Sequence, residues 1–391
     1  MAWAPIWHRF LDATPQLCLD LRDHEQFSNG HISHAVCIEG LDALRTRFST
    51  LPARHVPFLI VCNASCATHV RNAFVPPERW AIIGILGVYK HEHVSTSSIS
   101  GEETFLNGEL QHLVDLPHPL AFITLDQLAI AATAAHIWTP MGTKDLPDLL
   151  FSPAPVIARV VQHCVDASET EPIALLDLGC GAGRDVTYAL VHAQRTSTRA
   201  WHATCVDRWR AALDRAAQLL QDHALWDPSP SSKKCACNAM AVADITDDGF
   251  VRALGSRGTN PSDAMSLDTW AAAHLPHSHY DIVWLIRFWP RACLRNLPRI
   301  VAEHGLIVLS HFVHEPDANI PRRNLSALST TYDSPPVAAR IQPGEISALL
   351  KHWQSAYGAA SEVLDECVEP VEDGRPVHSL VVRLCGHTLK R

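Results

Sequence analysis

The sequence has no run of about 18 uninterrupted apolar residues, the length a helix needs to cross a bilayer, so no membrane span is expected. Residues 1–10 hold Pro5, Trp7, His8 and Arg9 but no apolar h-region, so a secretory start is not expected either. Basic charge is scarce: 32 Lys and Arg stand against 41 Asp and Glu, a net charge of −9 with histidine neutral. That balance gives no broad cationic groove, and nucleic acid is not an expected partner. The 12 cysteines form no repeating framework, and a chain of 391 residues, 47% of them apolar, can bury a core without disulfide staples. Reduced thiols in a cytoplasmic protein are the expectation. Paired metal-ligand spacing is also missing. His91 with His93, His274 with His277 and His279, and Cys235 with Cys237 come nearest, and no metal is expected. There is no internal repeat.

What is present is alternation. The length suggests two domains. Within residues 1–90, the apolar runs 17–21, 58–62 and 81–86 read as strands separated by helical patterns, which predicts a small α/β domain with a parallel sheet. Residues 91–116 hold Ser95, Ser97, Ser98, Ser100 and Gly101 and read as a linker. Residues 120–136 are Ala-rich and read as a bridging helix. The expected division is 1–95, a linker and bridging helix over 96–145, and a second α/β domain over 146–391. In that domain 173–178, 203–207, 239–244, 280–286, 306–310 and 378–385 read as strands. Residues 227–234 and 255–279 read as loops or insertions.

The sharpest motif is LLDLGCGAGRD at 175–185. A strand runs into a turn holding Gly179, Gly181 and Gly183, and a helix follows. Glycines allow positive φ and let a ligand approach the backbone, and the helix aims its first amides at that ligand. Asp177, two residues before the first glycine, suits a ligand's ammonium group. The spacing departs from GxGxxG, which separates it from dinucleotide-binding turns. Asp207 ends the next strand, where an acid can accept both ribose hydroxyls. Asp244 ends the third, placed to reach an adenine amino group with Ile245 stacked beside it. One strand-end acid is usually a cap or turn residue. Three in order behind a glycine loop point to a bound nucleotide.

Residues 151–385 resemble the class I S-adenosylmethionine-dependent methyltransferases, and within them the tellurite-resistance-type small-molecule group. The lead-in FSPAPVIARV at 151–160, IRFWPR at 286–291, AEHGLIVLSHF at 302–312 and RIQPGEISALL at 340–350 carry the likeness beyond the glycine loop. Pro290 stands where relatives carry a histidine, and only Gly305 remains of a Pro-Gly-Gly turn. The resemblance implies a Rossmann-like seven-stranded domain, S-adenosyl-L-methionine as cofactor and a small-molecule methyl acceptor. The cofactor contacts expected are Asp177, Gly179, Cys180, Gly181, Gly183, Asp207, Arg208, Asp244, Ile245 and Arg287. Arg287 and Arg291 are candidates for the acceptor side, as a clamp for an anion, and His311 is a candidate base.

In the first domain, CLDLRDHEQFSNGHISHAVCIEG at 18–40 and PFLIVCNASCATHV at 57–70 resemble the rhodanese fold, with RWAIIGILGVYK at 79–90 as its next strand. The resemblance puts Cys62 at the sulfur-carrying position. Ser65 replaces the usual loop glycine, and the usual arginine is absent, so the cradle that activates the thiol is incomplete. A degenerate or regulatory domain, open to a protein partner, is the leading expectation. Cys66 offers a resolving partner and a redox role. The alternatives are a sulfurtransferase using Cys62 beside a nucleotide-sensing domain, and a non-catalytic scaffold.

Overall fold

The computed structural model describes residues 2–74, 80–89, 118–143, 147–166, 171–228, 233–246, 248–254, 264–315, 319–329 and 332–386. His91, His93 and the serine-rich stretch 91–116 lie outside the described residues. The chain divides into two compact units, Met1–Ser152 and Pro153–Arg391.

In the first unit the strands are β1 (Cys18–Asp20), β2 (Gly30–Ile32), β3 (Val36–Cys37), β4 (Phe58–Asn63), β5 (Ile82–Tyr89), β6 (Leu120–Thr124) and β7 (Trp138–Pro140). A parallel five-stranded sheet runs β3-β1-β4-β5-β6, and β2 pairs with β7 separately. Along β4, Phe58, Ile60 and Cys62 enter one apolar layer while Leu59 and Val61 enter the other. That period of two is expected of a strand covered on both faces. Residues 120–136, expected as one helix, are split. Leu120, Ala121 and Ile123 are buried in β6 beside β5, and the helix Leu125–Ala134 begins only after a capping box between Thr124 and Gln127. Both elements belong to the first unit. The Asp20–Arg22 pair is buried, and Arg22 also donates to the carbonyl of Gly30 at 3.0 Å. The acid-rich turn therefore anchors the start of β2.

The second unit contains β8 (Ile173–Leu178), β9 (Trp201–Asp207), β10 (Cys235–Ile245), β11 (Val251–Ala253), β12 (Tyr280–Ile286), β13 (Val301–Phe312), β14 (Ala360–Pro370) and β15 (Pro376–Cys385). The sheet order is β11-β10-β9-β8-β12-β13-β15-β14, with β10, β9, β8, β12 and β13 parallel. The sheet has eight strands and not the expected seven. The additional one, β11, folds back antiparallel on β10, pairing Arg252 with Asp244. Within 255–279 the described residues include a helix, Leu267–His274, which buries Trp270, so that stretch is not only loop.

Strand order dictates where a ligand belongs. From β8 the chain builds outward through β9 and β10, then returns to the other side of β8 with β12. The carboxyl ends of β8 and β12 therefore flank a topological switch point, the crevice where open α/β sheets bind ligands.

Candidate functional site

The glycine loop leaves β8 at this crevice. Gly179 and Cys180 donate their backbone N–H groups to the Val206 carbonyl at 2.8 and 3.1 Å, tying the turn to the end of β9. Gly179, Gly181 and Gly183 have φ of +80°, +55° and +73°. Their surroundings differ. A Cβ at Gly179 would stand 2.7 Å from the Phe288 ring, and one at Gly183 would stand 2.8 Å from the Ala216 Cβ. At Gly181 nothing lies within 4 Å, so its backbone faces open space. Gly183 also caps the helix Arg184–Thr196. Gly183→Ala should destabilise the second unit by about 2–3 kcal/mol, from left-handed strain plus overpacking against Ala216. Thermal denaturation checks this, and an unchanged midpoint would remove the packing role given to Gly183.

Asp207 at the end of β9 holds the loop. Its Oδ2 accepts the Gly181 amide at 2.9 Å and its Oδ1 accepts the Trp209 amide at 2.8 Å. Asp244 lies at the end of β10, 3.8 Å from the Arg208 guanidinium, which itself sits over the Trp209 ring. A cavity of about 220 Å³ opens here. It brings together Gly179, Asp207, Arg208, Asp244, Ile245 and Arg287 from the expected set. Val206, Trp209, Ala243 and Phe288 complete the wall. Sequence reasoning missed Trp209 and Phe288. The signal for Trp209 was available: a large aromatic two residues after a strand-end acid, left 64% exposed in the fold. Such a residue offers a flat apolar face for a planar ring.

Asp177, Cys180, Gly181 and Gly183 are not part of the cavity lining. Asp177 is only 3% exposed. Burial, reinforced by the negative charges of Asp185 and Asp207, holds its carboxyl well above the usual carboxylate range. Asp185 is shifted upward too, mainly by burial, although it accepts the Ala154 amide at 2.7 Å. The Cys180 thiol shares a hydrogen bond with Cys205 that favours ionisation, but burial and the nearby acids push it up to about 11. It stays protonated at neutral pH.

Arg287 is exposed at the end of β12 with φ of +58°, and its N–H donates to the Ser310 carbonyl at 2.6 Å. Arg291 does not join it. Its guanidinium donates to Glu345 at 2.7 Å and to the Arg340 carbonyl at 2.7 Å, at the start of the helix Glu345–Tyr357 that Gly344 caps. His311 is also outside the cavity lining. It is buried, its Nε2 donates to the Ala339 carbonyl at 3.0 Å, and burial lowers its pKa. Cys62, in the first unit, is fully buried. Its thiol is pushed far above the ordinary range by the hydrogen bond with Cys66 and by burial, which makes it a poor nucleophile. Among the described residues no group of three or more His, Cys, Asp or Glu is placed to hold a metal, and no helix is long and apolar enough to cross a membrane.

No protein-family profile matches the chain. It is 26% identical over 244 residues to the uncharacterized protein UNK4.09 of Schizosaccharomyces pombe, covering 60% of this chain and 64% of that protein. The chain thus spans less than two thirds of this relative's length. A methyltransferase from Aquifex aeolicus described as S-adenosylmethionine-dependent aligns over 58% of this chain and 89% of its own, at 14% identity and a TM-score of 0.32. TehB from Haemophilus influenzae aligns over 58% of this chain and 61% of its own, at 14% identity and a TM-score of 0.32. The magnesium protoporphyrin IX methyltransferase of Synechocystis, solved with S-adenosylhomocysteine bound, covers 59% of this chain and 82% of its own, at 14% identity and a TM-score of 0.34.

Proposed function

We propose that the second unit binds S-adenosyl-L-methionine and transfers its methyl group to a small-molecule acceptor, with the first unit in a regulatory role. The observation that carries this reading is the convergence of Asp207, Asp244 and Gly179 of the glycine loop on one cavity at the switch point, with Asp207 also holding the Gly181 amide. Asp207 takes the ribose hydroxyls. Asp244 and Ile245 take the adenine edge and face, with Trp209 as the second apolar wall. Asp177 fits the ammonium end of the group: a buried carboxyl amid other acids is relieved by a cation. The bound sulfonium supplies an electrophilic methyl. The chain's own contribution is to hold it, shield it from water and align an acceptor, and such positioning can supply much of the rate. Exposed Arg287 lies at the cavity rim for an acceptor that carries negative charge.

Calorimetry with S-adenosylhomocysteine tests the cofactor assignment, and folded protein that gives no heat of binding rejects it. Methyl transfer is followed by S-adenosylhomocysteine release across a panel of thiols, carboxylates and chalcogen oxyanions.

A pH dependence follows from Asp177. Burial and the charges of Asp185 and Asp207 raise the carboxyl's pKa in the ligand-free protein, whereas an ammonium group would be held by the carboxylate form. Below the raised pKa, binding must release a proton. Affinity is therefore expected to rise with pH through the raised pKa and to level off once the carboxyl is ionised. Asp177→Asn should flatten that profile and weaken binding at the plateau by about 10–100-fold, the loss of one charge-assisted hydrogen bond. Calorimetry in buffers of different ionisation enthalpy reads the proton release directly.

A further inference from the structure

The first unit holds a second cluster of reactive side chains, which methyl transfer does not use. β4 ends at Asn63 and carries Cys62, fully buried in the same apolar layer as Ala67 and Val70. The chain then makes a single 3-10 turn, Ala64–Cys66, and enters the helix Ala67–Ala73. This turn folds Cys66 back toward the end of β4, where its Sγ–H donates to the Asn63 carbonyl at 3.2 Å. Gly87 lies beside Cys62 in the register of β5. A Cβ there would stand 3.1 Å from the Ala67 Cβ and 2.8 Å from the Phe122 ring. A glycine at this position lets the turn pack closely on the sheet. Cys66 is partly exposed, whereas Cys62 has no exposure.

We propose that Cys62 and Cys66 form a redox-active dithiol that reduces low-molecular-weight disulfides, with Cys66 as the attacking thiolate and Cys62 as the resolving thiol. The roles are the reverse of those that the fold resemblance implies. Accessibility assigns them: an incoming disulfide can reach Cys66 and cannot reach Cys62. The electrostatics agree. The hydrogen bond from Cys62, together with backbone groups, lowers the Cys66 thiol to about 6, while the same bond and burial push Cys62 upward. Cys66 is therefore the more readily ionised of the two thiols, and Cys62 the one that stays protonated.

The exchange balances. The Cys66 thiolate attacks one sulfur of RSSR; the S–S bond breaks, RS⁻ leaves and a mixed Cys66–SR disulfide forms. Cys62 then gives up its proton to a departing thiolate and attacks the Cys66 sulfur. The second RS⁻ leaves and a Cys62–Cys66 disulfide remains. One disulfide has become two thiols, with two electrons taken from the cysteine pair. Excess small-molecule thiol runs the exchange backward and restores the dithiol.

The test uses the reduced full-length protein and peptide-level mass spectrometry. Iodoacetamide should label Cys66 with a half-maximal rate near pH 6 and leave Cys62 unlabelled. With 2-hydroxyethyl disulfide, wild type should yield the Cys62–Cys66 peptide pair and no lasting adduct. Cys62→Ala should trap the adduct on Cys66 and move the labelling midpoint up toward ordinary cysteine. Labelling of Cys62 ahead of Cys66, a lasting adduct on Cys66 in wild type, or a Cys66 midpoint in the ordinary range would each overturn the proposal. The wild-type measurements decide the matter even if the buried substitution fails to fold. Cys66→Ser, at a partly exposed position, should fold and lose the reaction.

Discussion

Asp207→Ala should weaken S-adenosylhomocysteine binding by about 100–1000-fold while leaving a cooperative thermal transition, because the residue acts twice in the same site. Before any ligand arrives, its two carboxylate oxygens hold the Gly181 and Trp209 amides at 2.9 and 2.8 Å. These contacts fix the open glycine and an aromatic wall on opposite sides of one carboxylate. On the proposed cofactor reading, the remaining lone pairs would accept the ribose hydroxyls. Each charge-assisted hydrogen bond contributes roughly 1.5–3 kcal/mol, and the loosened loop adds an ordering cost at binding. Asp207→Asn keeps one carbonyl oxygen for an amide but loses the charge, so an intermediate loss of about 10-fold is expected. Calorimetry on the three proteins, with thermal denaturation as the folding control, separates the contributions. Binding unchanged in Asp207→Ala would reject the ribose assignment and with it the nucleotide reading of the cavity.

The contrast between Asp207 and Arg291 shows what a sequence makes legible. Asp207 and the glycine loop were readable because β8 and β9 are flanked on both sides, whereas Asp244 ends β10, whose carboxyl-terminal half is only partly buried. Buried parallel strands are near-continuous apolar runs, and their ends are sharply marked. Edge strands lack that signature. β14 alternates Glu, Asp and Ser with apolar residues and lies at the rim of the sheet, so it reads as loop until its partner β15 is known. β11 is three residues long. The residues 120–136 were misread for a related reason: a short buried strand running directly into an Ala-rich helix has no polar break except Thr124. For Arg291 the obstacle is different. A cation just past a strand end has the same local sequence whether it awaits an anionic ligand or a carboxylate far along the chain. Only the fold shows that Glu345 reaches it. Phe288 was hidden similarly, since its place against Gly179 depends on the pairing of β12 with β8.

Arg159→Ala should cost the second unit about 2–3 kcal/mol, less than a fully buried ion pair broken on one side, because the Arg159 side chain is 28% exposed while Glu369 is buried. Arg159 lies on the helix Pro155–Asp166 and reaches across to β14. Its guanidinium donates to Glu369 at 2.7 and 3.0 Å and to Asp365 at 2.7 Å. The two carboxylates are not equally dependent on it. Asp365 also accepts from Arg323 at 2.9 Å, so it retains a partner. Glu369, whose side chain is 3% exposed, has Arg159 as its cationic partner in this cluster. The substitution leaves a desolvated carboxylate behind, and that residual charge, more than the lost attraction, sets the size of the effect. Arg159→Met combined with Glu369→Leu should therefore recover most of the stability that Arg159→Ala loses, since an apolar pair of similar volume removes the orphaned charge. Chemical denaturation of the single and double variants provides the comparison. A double variant as unstable as the single one would place the cost in lost packing instead. The clamp also bears on the site. Ala154, just before the helix, donates to Asp185 in the first turn after the glycine loop. If this connection holds the loop in register, Arg159→Ala should weaken S-adenosylhomocysteine binding by less than 10-fold even where the protein is fully folded, well below the loss expected for Asp207→Ala.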